Sequence, residues 1–363
     1  MTRRTLLRGA LAGVCTAPTV IRGWCEIAEG EAVLTHAIDL VQSAPVIDMM
    51  GLMTTDWTRL ERWRSHAAGL DSTDLDAIVG SGVTLFHPAV RLSGPRLDER
   101  TAAWMGRWRQ FAEFHPDRFR VVESLQDWSA VRSREQIGIF LGSQDSAHFQ
   151  SAADVETFAL LGQRVSQLTY NGLNHLGGGC ELRRDPGLTA LGVEIVQAMN
   201  RTGMIVDVSH CGERTTLDAI EASQRTVLAT HSNCAALTPG QARCKSDEVI
   251  RKLASRGGVI GVTAISNFVT GSRPVRFEHV LDHFDYIARL AGTEHVGLGT
   301  DGGVLGAQSN LAPGFGRPDT IYRLTEGLIR RGYTDAEIRR ILGFNFERVL
   351  REHLDKARIQ QNS

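Results

Sequence analysis

Eight short runs of aliphatic and β-branched residues punctuate the chain, at 45–50, 83–88, 137–143, 164–170, 204–210, 226–232, 258–264 and 295–301. Each is mostly apolar without strict alternation, the pattern of a strand buried on both faces of a parallel sheet. Between many of them, apolar residues recur at helical spacing, at 154–161, 192–202, 213–223, 246–256 and 274–291. Gly203, Gly257 and Gly292 follow such stretches, where helix-ending glycines belong. Strand then helix, eight times over, predicts an α/β fold of the (β/α)8 TIM-barrel type. The alternative is an open doubly wound sheet, but no Gly-x-Gly-x-x-Gly follows an early strand. Residues 91–136 carry Trp104, Trp108 and Trp128 and predict extra helices packed on the barrel. Residues 306–318 read as a Gly/Pro/Ala rim loop, and 318–331 and 334–354 as a C-terminal helical closure. Residues 26–363 form one predicted domain.

The first 25 residues stand apart. Arg3 and Arg4 precede a small-residue apolar stretch from Gly9 to Val20, which resembles a twin-arginine targeting signal. The stretch is too short to span a bilayer. The expectation is a periplasmic or secreted protein without an integral membrane segment once the signal is removed, with a cytoplasmic location as the alternative.

Composition narrows the partners. Forty basic residues against 41 acidic ones give a net charge of -1, and aromatics are only 6% of 363 residues. No basic surplus or aromatic–basic clustering points to nucleic acid. Six cysteines in a chain of this length do not make a disulfide scaffold.

Candidate chemistry lies at the strand ends, because barrel active sites sit at the carboxyl edge of the sheet. Those ends are Met50, His87, Gln144, Tyr170, His210, His231, Ala264 and Asp301. A lone strand-end histidine is more often a packing or hydrogen-bonding residue than a ligand. His210, His231 and Asp301 on the fifth, sixth and eighth strands together predict a shared polar site able to hold a divalent ion, Zn²⁺ suiting mixed nitrogen and oxygen donors.

Several collinear segments carry a resemblance: Pro45 to Asp48, Val206-Asp-Val-Ser-His210, Ala229-Thr-His-Ser-Asn233, Arg243 with Ser246-Asp247-Glu248, Gly257 to Gly261, Val296 to Asp301, and Ile341 to Leu350. In this combination the sequence resembles the membrane (renal-type) dipeptidase family of zinc peptidases. The resemblance implies a (β/α)8 barrel with two zinc ions bridged by a glutamate, cleaving dipeptides, and a homodimer. It places His210 and His231 at ligands of the second zinc and Asp301 at the first-zinc carboxylate that handles the catalytic proton. Arg243 falls on the arginine that grips the substrate.

The sequence also departs from that pattern. The family's first-strand His-x-Asp pair falls on Met50 and Leu52, its bridging glutamate on Gln144, and its substrate-polarising histidine on Tyr170. The expectation is therefore one zinc rather than two, held by His210 and His231 with Gln144 or Asp301. Asp301 would move the proton, and Arg243 and Tyr170 would hold the substrate carboxylate or oxyanion. Hydrolysis of dipeptide-like amides is the leading reading. The competing ones are an inactive barrel that binds a peptide-like small molecule, and a different reaction on the same scaffold.

Overall fold

The computed structural model describes residues 21–306 and 308–355, with side chains from residue 30. The paired Arg3 and Arg4 lie outside the described residues, which begin in the helix Ile21–Ser43. No helix among the described residues is long and apolar enough to cross a membrane.

Twelve strands follow one another among the described residues: β1 Ile47–Asp48, β2 Leu52–Thr54, β3 Leu85–Phe86, β4 Phe119–Val121, β5 Ile137–Ile139, β6 Gly142–Ser143, β7 Val165–Gln167, β8 Ile205–Asp207, β9 Ala229–Ser232, β10 Ile260–Val262, β11 Val296–Leu298 and β12 Gly303–Leu305. Their pairing closes a parallel ring. Ile47 pairs with Leu85 and Leu85 with Gly138. A step further along the third barrel strand, Gly142 pairs with Val165, and Val165 in turn with Ile205. A single bridge from Asp207 to Leu228 carries the ring to β9. Ile260 then pairs with both Ala229 and Val296, and Leu298 pairs back with Asp48. The eight runs read from sequence are these eight barrel positions. Helices alternate with them, and the expected stretch 192–202 is the helix Ala190–Thr202, ended by Gly203 at φ 72°.

Three features lie outside the regular repeat. β4 pairs with β5 below the point where the third strand turns to β7. β2 and β12 prolong the first and eighth strands above the barrel and pair with each other. The insertion holds the helices Leu97–Phe114 and Leu125–Ser133, as expected.

The C-terminal closure is built into the core. Phe346 is fully buried, and its ring lies where a side chain at residue 297 would project, so only the glycine of β11 leaves room for it. Trp128 donates its indole N–H to Glu347 at 2.8 Å, tying the insertion to the last helix, Asn345–Leu354.

Candidate active site at the carboxyl edge of the barrel

Two buried aspartates brace the strand ends that carry the candidate residues. Asp207 accepts the backbone N–H of Thr230 at 3.0 Å and its hydroxyl at 2.6 Å, and also the Ser209 hydroxyl at 2.6 Å. Asp48 repeats the device across the seam, accepting the N–H of Thr300 at 2.9 Å and its hydroxyl at 2.5 Å. Burial raises the Asp48 carboxyl, and the Thr300 and Met50 donors oppose that rise. Each aspartate thus pins the loop after one strand to its neighbour.

On this frame His210 and His231 converge, with Nε2 atoms 3.1 Å apart. Their outer nitrogens are fixed. Thr230 gives its only hydroxyl hydrogen to Asp207, so it can only accept from His231 Nδ1 at 2.9 Å. The Asn171 amide donates to Glu181 at 2.7 Å, which turns its oxygen to accept from His210 Nδ1 at 2.5 Å. Both histidines therefore carry hydrogen on Nδ1 and aim an Nε2 lone pair at each other. Burial lowers both imidazoles well below their usual range, the Arg243 charge adds to the effect, and both stay neutral. Two such lone pairs repel at this distance, and an ion bound to both from one side would remove the repulsion.

The remaining expected residues fall into a second group. The Asp301 backbone N–H donates to Met50 O at 3.0 Å, and its φ of 55° puts it in the left-handed region that few non-glycine residues enter. Burial pushes its carboxyl up to about 7, with Arg243 opposing and Asp48 adding. Gln144 donates its amide to Met50 Sδ at 3.5 Å and to Ala89 O at 3.1 Å. The Asp301 backbone is thus tied to Met50, and its carboxyl lies within electrostatic reach of Arg243 and of Tyr170. Among the described residues no three His, Cys, Asp or Glu side chains gather as a metal-binding group, in place of the expected set of His210, His231 and Asp301.

Tyr170 links the two groups. Its ring stacks on His210 with centroids 4.1 Å apart and planes 19° apart. Arg91 lies 5.2 Å from the centre of the same ring.

Arg243 is buried beside the imidazole pair. It is 3% exposed and donates to Ser209 O at 2.6 Å, Ser232 Oγ at 3.1 Å and His231 O at 2.7 Å, leaving Nε buried without a partner. Its charge is committed to the turns that carry the histidines. Lys245, which sequence reasoning did not single out, acts beside it. Its ammonium donates to Val208 O at 2.7 Å and Cys211 O at 2.9 Å, and burial lowers it to about 8.

Further histidines and cysteines lie elsewhere. His148 is buried against Phe149 and Phe158, and His175 donates to Phe149 O at 2.7 Å. Cys180, Cys211 and Cys244 line a separate cleft of roughly 450 Å³, where burial raises all three thiols.

A parallel eight-stranded barrel whose carboxyl edge bears a facing imidazole pair and a half-buried carboxyl defines the class of scaffold. The profile of the membrane dipeptidase family, peptidase family M19, matches residues 64–363, and the chain belongs to that family. An uncharacterized dipeptidase of Schizosaccharomyces pombe is 32% identical over 232 residues, 61% of this chain and 54% of that protein. Dipeptidase verJ of Clonostachys rogersoniana is 34% identical over 247 residues, 66% of this chain and 61% of that protein. This chain thus spans under two thirds of either relative. The crystal structure of an amidohydrolase from Pseudomonas aeruginosa superposes with a TM-score of 0.76 at 25% identity, covering 88% of this chain and 99% of that one.

Proposed function

We propose that this protein hydrolyses amide bonds in small dipeptide-like molecules, with one divalent ion, zinc by preference, instead of a bridged pair. The observation that carries the reading is the pair of inward Nε2 lone pairs on His210 and His231, each fixed by a hydrogen bond on the opposite nitrogen. Such outer hydrogen bonds are how imidazole ligands are oriented and made more basic. Two imidazole donors with open positions support one ion, and the residues at the other expected positions do not support a second. Met50 offers a thioether and Leu52 no donor, and the Gln144 amide is turned to Met50 and Ala89.

An ion at His210 and His231 would supply Lewis acidity to the scissile carbonyl and acidity to a water molecule. The protein's own groups do the rest. Asp301 takes the proton from the attacking water and returns it to the leaving amine as the C–N bond breaks. The Tyr170 hydroxyl donates to the developing oxyanion, and the buried charge of Arg243 favours it. Arg243 and Lys245 hold the turns that bear the two histidines.

The Met50–Gln144 contact favours a second reading, a barrel that binds a peptide-like molecule without turning it over. A dipeptide panel assayed with and without chelator separates the two. Turnover that is lost on chelation and restored by zinc supports the hydrolase. Binding without turnover in zinc-loaded protein overturns it.

A further inference from the structure

A buried cation beside the barrel mouth has donors that no described residue accepts. Arg64 lies in the last turn of the helix Trp57–Ser65, which follows β2, and is 4% exposed. Its guanidinium lies over two indoles of the insertion, 4.5 Å from the ring centre of Trp104 and 5.5 Å from that of Trp108. Contact with ring faces leaves the in-plane N–H donors of a guanidinium unused. Arg64 Nε and Nη1 are buried without an acceptor, and so is the indole N–H of Trp108. A buried donor left unpaired costs free energy, and an unpaired charge costs more.

The carboxylates paired with this helix do not supply the missing charge. Glu61 lies 3.6 Å from Arg64 Nη2, longer than a hydrogen bond, and its other oxygen is taken by Arg107. Asp74 is shared by Arg59, Arg62 and the indole of Trp63, and Asp71 pairs with Arg62. Arg59, Arg62, Arg64 and Arg107 thus share Glu61, Asp71 and Asp74, which leaves one positive charge over. Arg64 is the most buried of the four. Burial lowers its guanidinium to about 10, and it stays charged at neutral pH.

We infer that Arg64 and Trp108 bind a small monovalent anion of the halide class, chloride above all, between the helices Trp57–Ser65 and Leu97–Phe114. One surplus charge calls for one negative charge, and a multivalent anion would lose far more hydration on entering. Arg64 and Trp108 are both sealed from solvent, which favours an ion over a larger acid. The anion has a place in the architecture of the mouth. Trp104, against which Arg64 lies, donates its indole N–H to Pro88 O at 3.3 Å, and the next carbonyl, Ala89 O, holds the Gln144 amide. An ion at Arg64 therefore braces the loop after β3, whatever reaction the barrel performs.

The test uses full-length protein at constant ionic strength, with chloride exchanged for gluconate, and needs neither substrate nor zinc. Chloride is expected to lower the unfolding constant in proportion to 1 + [Cl⁻]/Kd, roughly tenfold at about nine times Kd. Arg64→Met, which keeps the apolar stem, should abolish that dependence and the broadening of the ³⁵Cl signal by the protein. Wild-type crystals soaked in bromide give a reading without any variant, and an anomalous peak in contact with Arg64 Nε or Nη1 is expected. Water alone or the Glu61 carboxylate at those donors overturns the site. So does a bromide peak without chloride-dependent unfolding, which would mark binding at crystal concentration only. A chloride dependence that survives in Arg64→Met overturns it as well.

Discussion

The Gln144 amide points at the sulfur of Met50 across 3.5 Å, so the two residues that the resemblance aligns with metal donors satisfy each other. An amide and a thioether are poor partners for a hard or borderline cation. The neighbouring backbone is intact, with Asp48 still bracing Thr300 and Asp301 still bonded to Met50 O. On the proposed one-ion reading, the departure from a two-ion site lies in side chains and not in the frame.

Restoring the donors should restore the second ion. The triple variant Met50→His, Leu52→Asp, Gln144→Glu is expected to raise zinc from about one to about two per chain. Elemental analysis after dialysis checks this, and an unchanged ratio would show that the frame has drifted as well.

Removing the acceptor behind His231 should weaken the ion without touching it. Thr230→Val keeps the shape but leaves His231 Nδ1 and Asp207 without that hydroxyl. Loss of such an outer partner typically costs 10–100-fold in metal affinity. Competition against a chromogenic chelator reads the change, and equal affinity would remove the orienting role of Thr230.

Replacing Asp301 by Asn keeps the bulk of the side chain and removes the proton carrier. A fall of at least 10²-fold in kcat with Kd for substrate nearly unchanged is expected. Steady-state kinetics with a separate binding measurement checks it, and unchanged kcat would exclude the proposed proton transfer.

Acid should unfold the protein through histidines remote from the site. His283 donates to Val269 O and accepts the Cys234 N–H, and His148 is packed between rings beside Gln163. Burial lowers both to about 4. The unfolded chain therefore binds more protons, and stability is full above about pH 6.5 and falls as pH drops toward 4. Each group contributes up to about 1.4 kcal/mol per pH unit in that window. Urea midpoints at pH 7.5 and 5 check the slope, which His283→Gln should reduce.

The closing helix should matter as core. Phe346→Ala removes a fully buried ring seated over Gly297 and is expected to cost about 3–5 kcal/mol. A denaturant titration checks this, and a loss below about 1 kcal/mol would make the helix an appendage.

The barrel was legible because its strands are buried on both faces, so that each run from Pro45 to Asp301 stands out as apolar. The β2–β12 pair was not legible. Leu52–Thr54 and Gly303–Leu305 are too short for a periodic signal, and their pairing depends on closure of the ring. In the site, His210 and His231 were readable as residues that end apolar runs. The resemblance marked Arg243 as the substrate's partner, and that its donors also hold the carbonyls of Ser209 and His231 is set by three-dimensional neighbours. Lys245 and Asn171 were missed for the same reason. Each acts through a turn or ring that only the folded chain brings near.

The proposed hydrolase requires His210 and His231 to present two Nε2 lone pairs to one ion. Titrating zinc into metal-free, ¹⁵N-histidine-labelled protein and following the imidazole nitrogens tests it directly. The expected result is two histidines protonated at Nδ1 throughout, whose Nε2 signals shift together and saturate at one equivalent. Saturation at two equivalents, or Nε2 signals of His210 and His231 that do not respond to zinc, would contradict it.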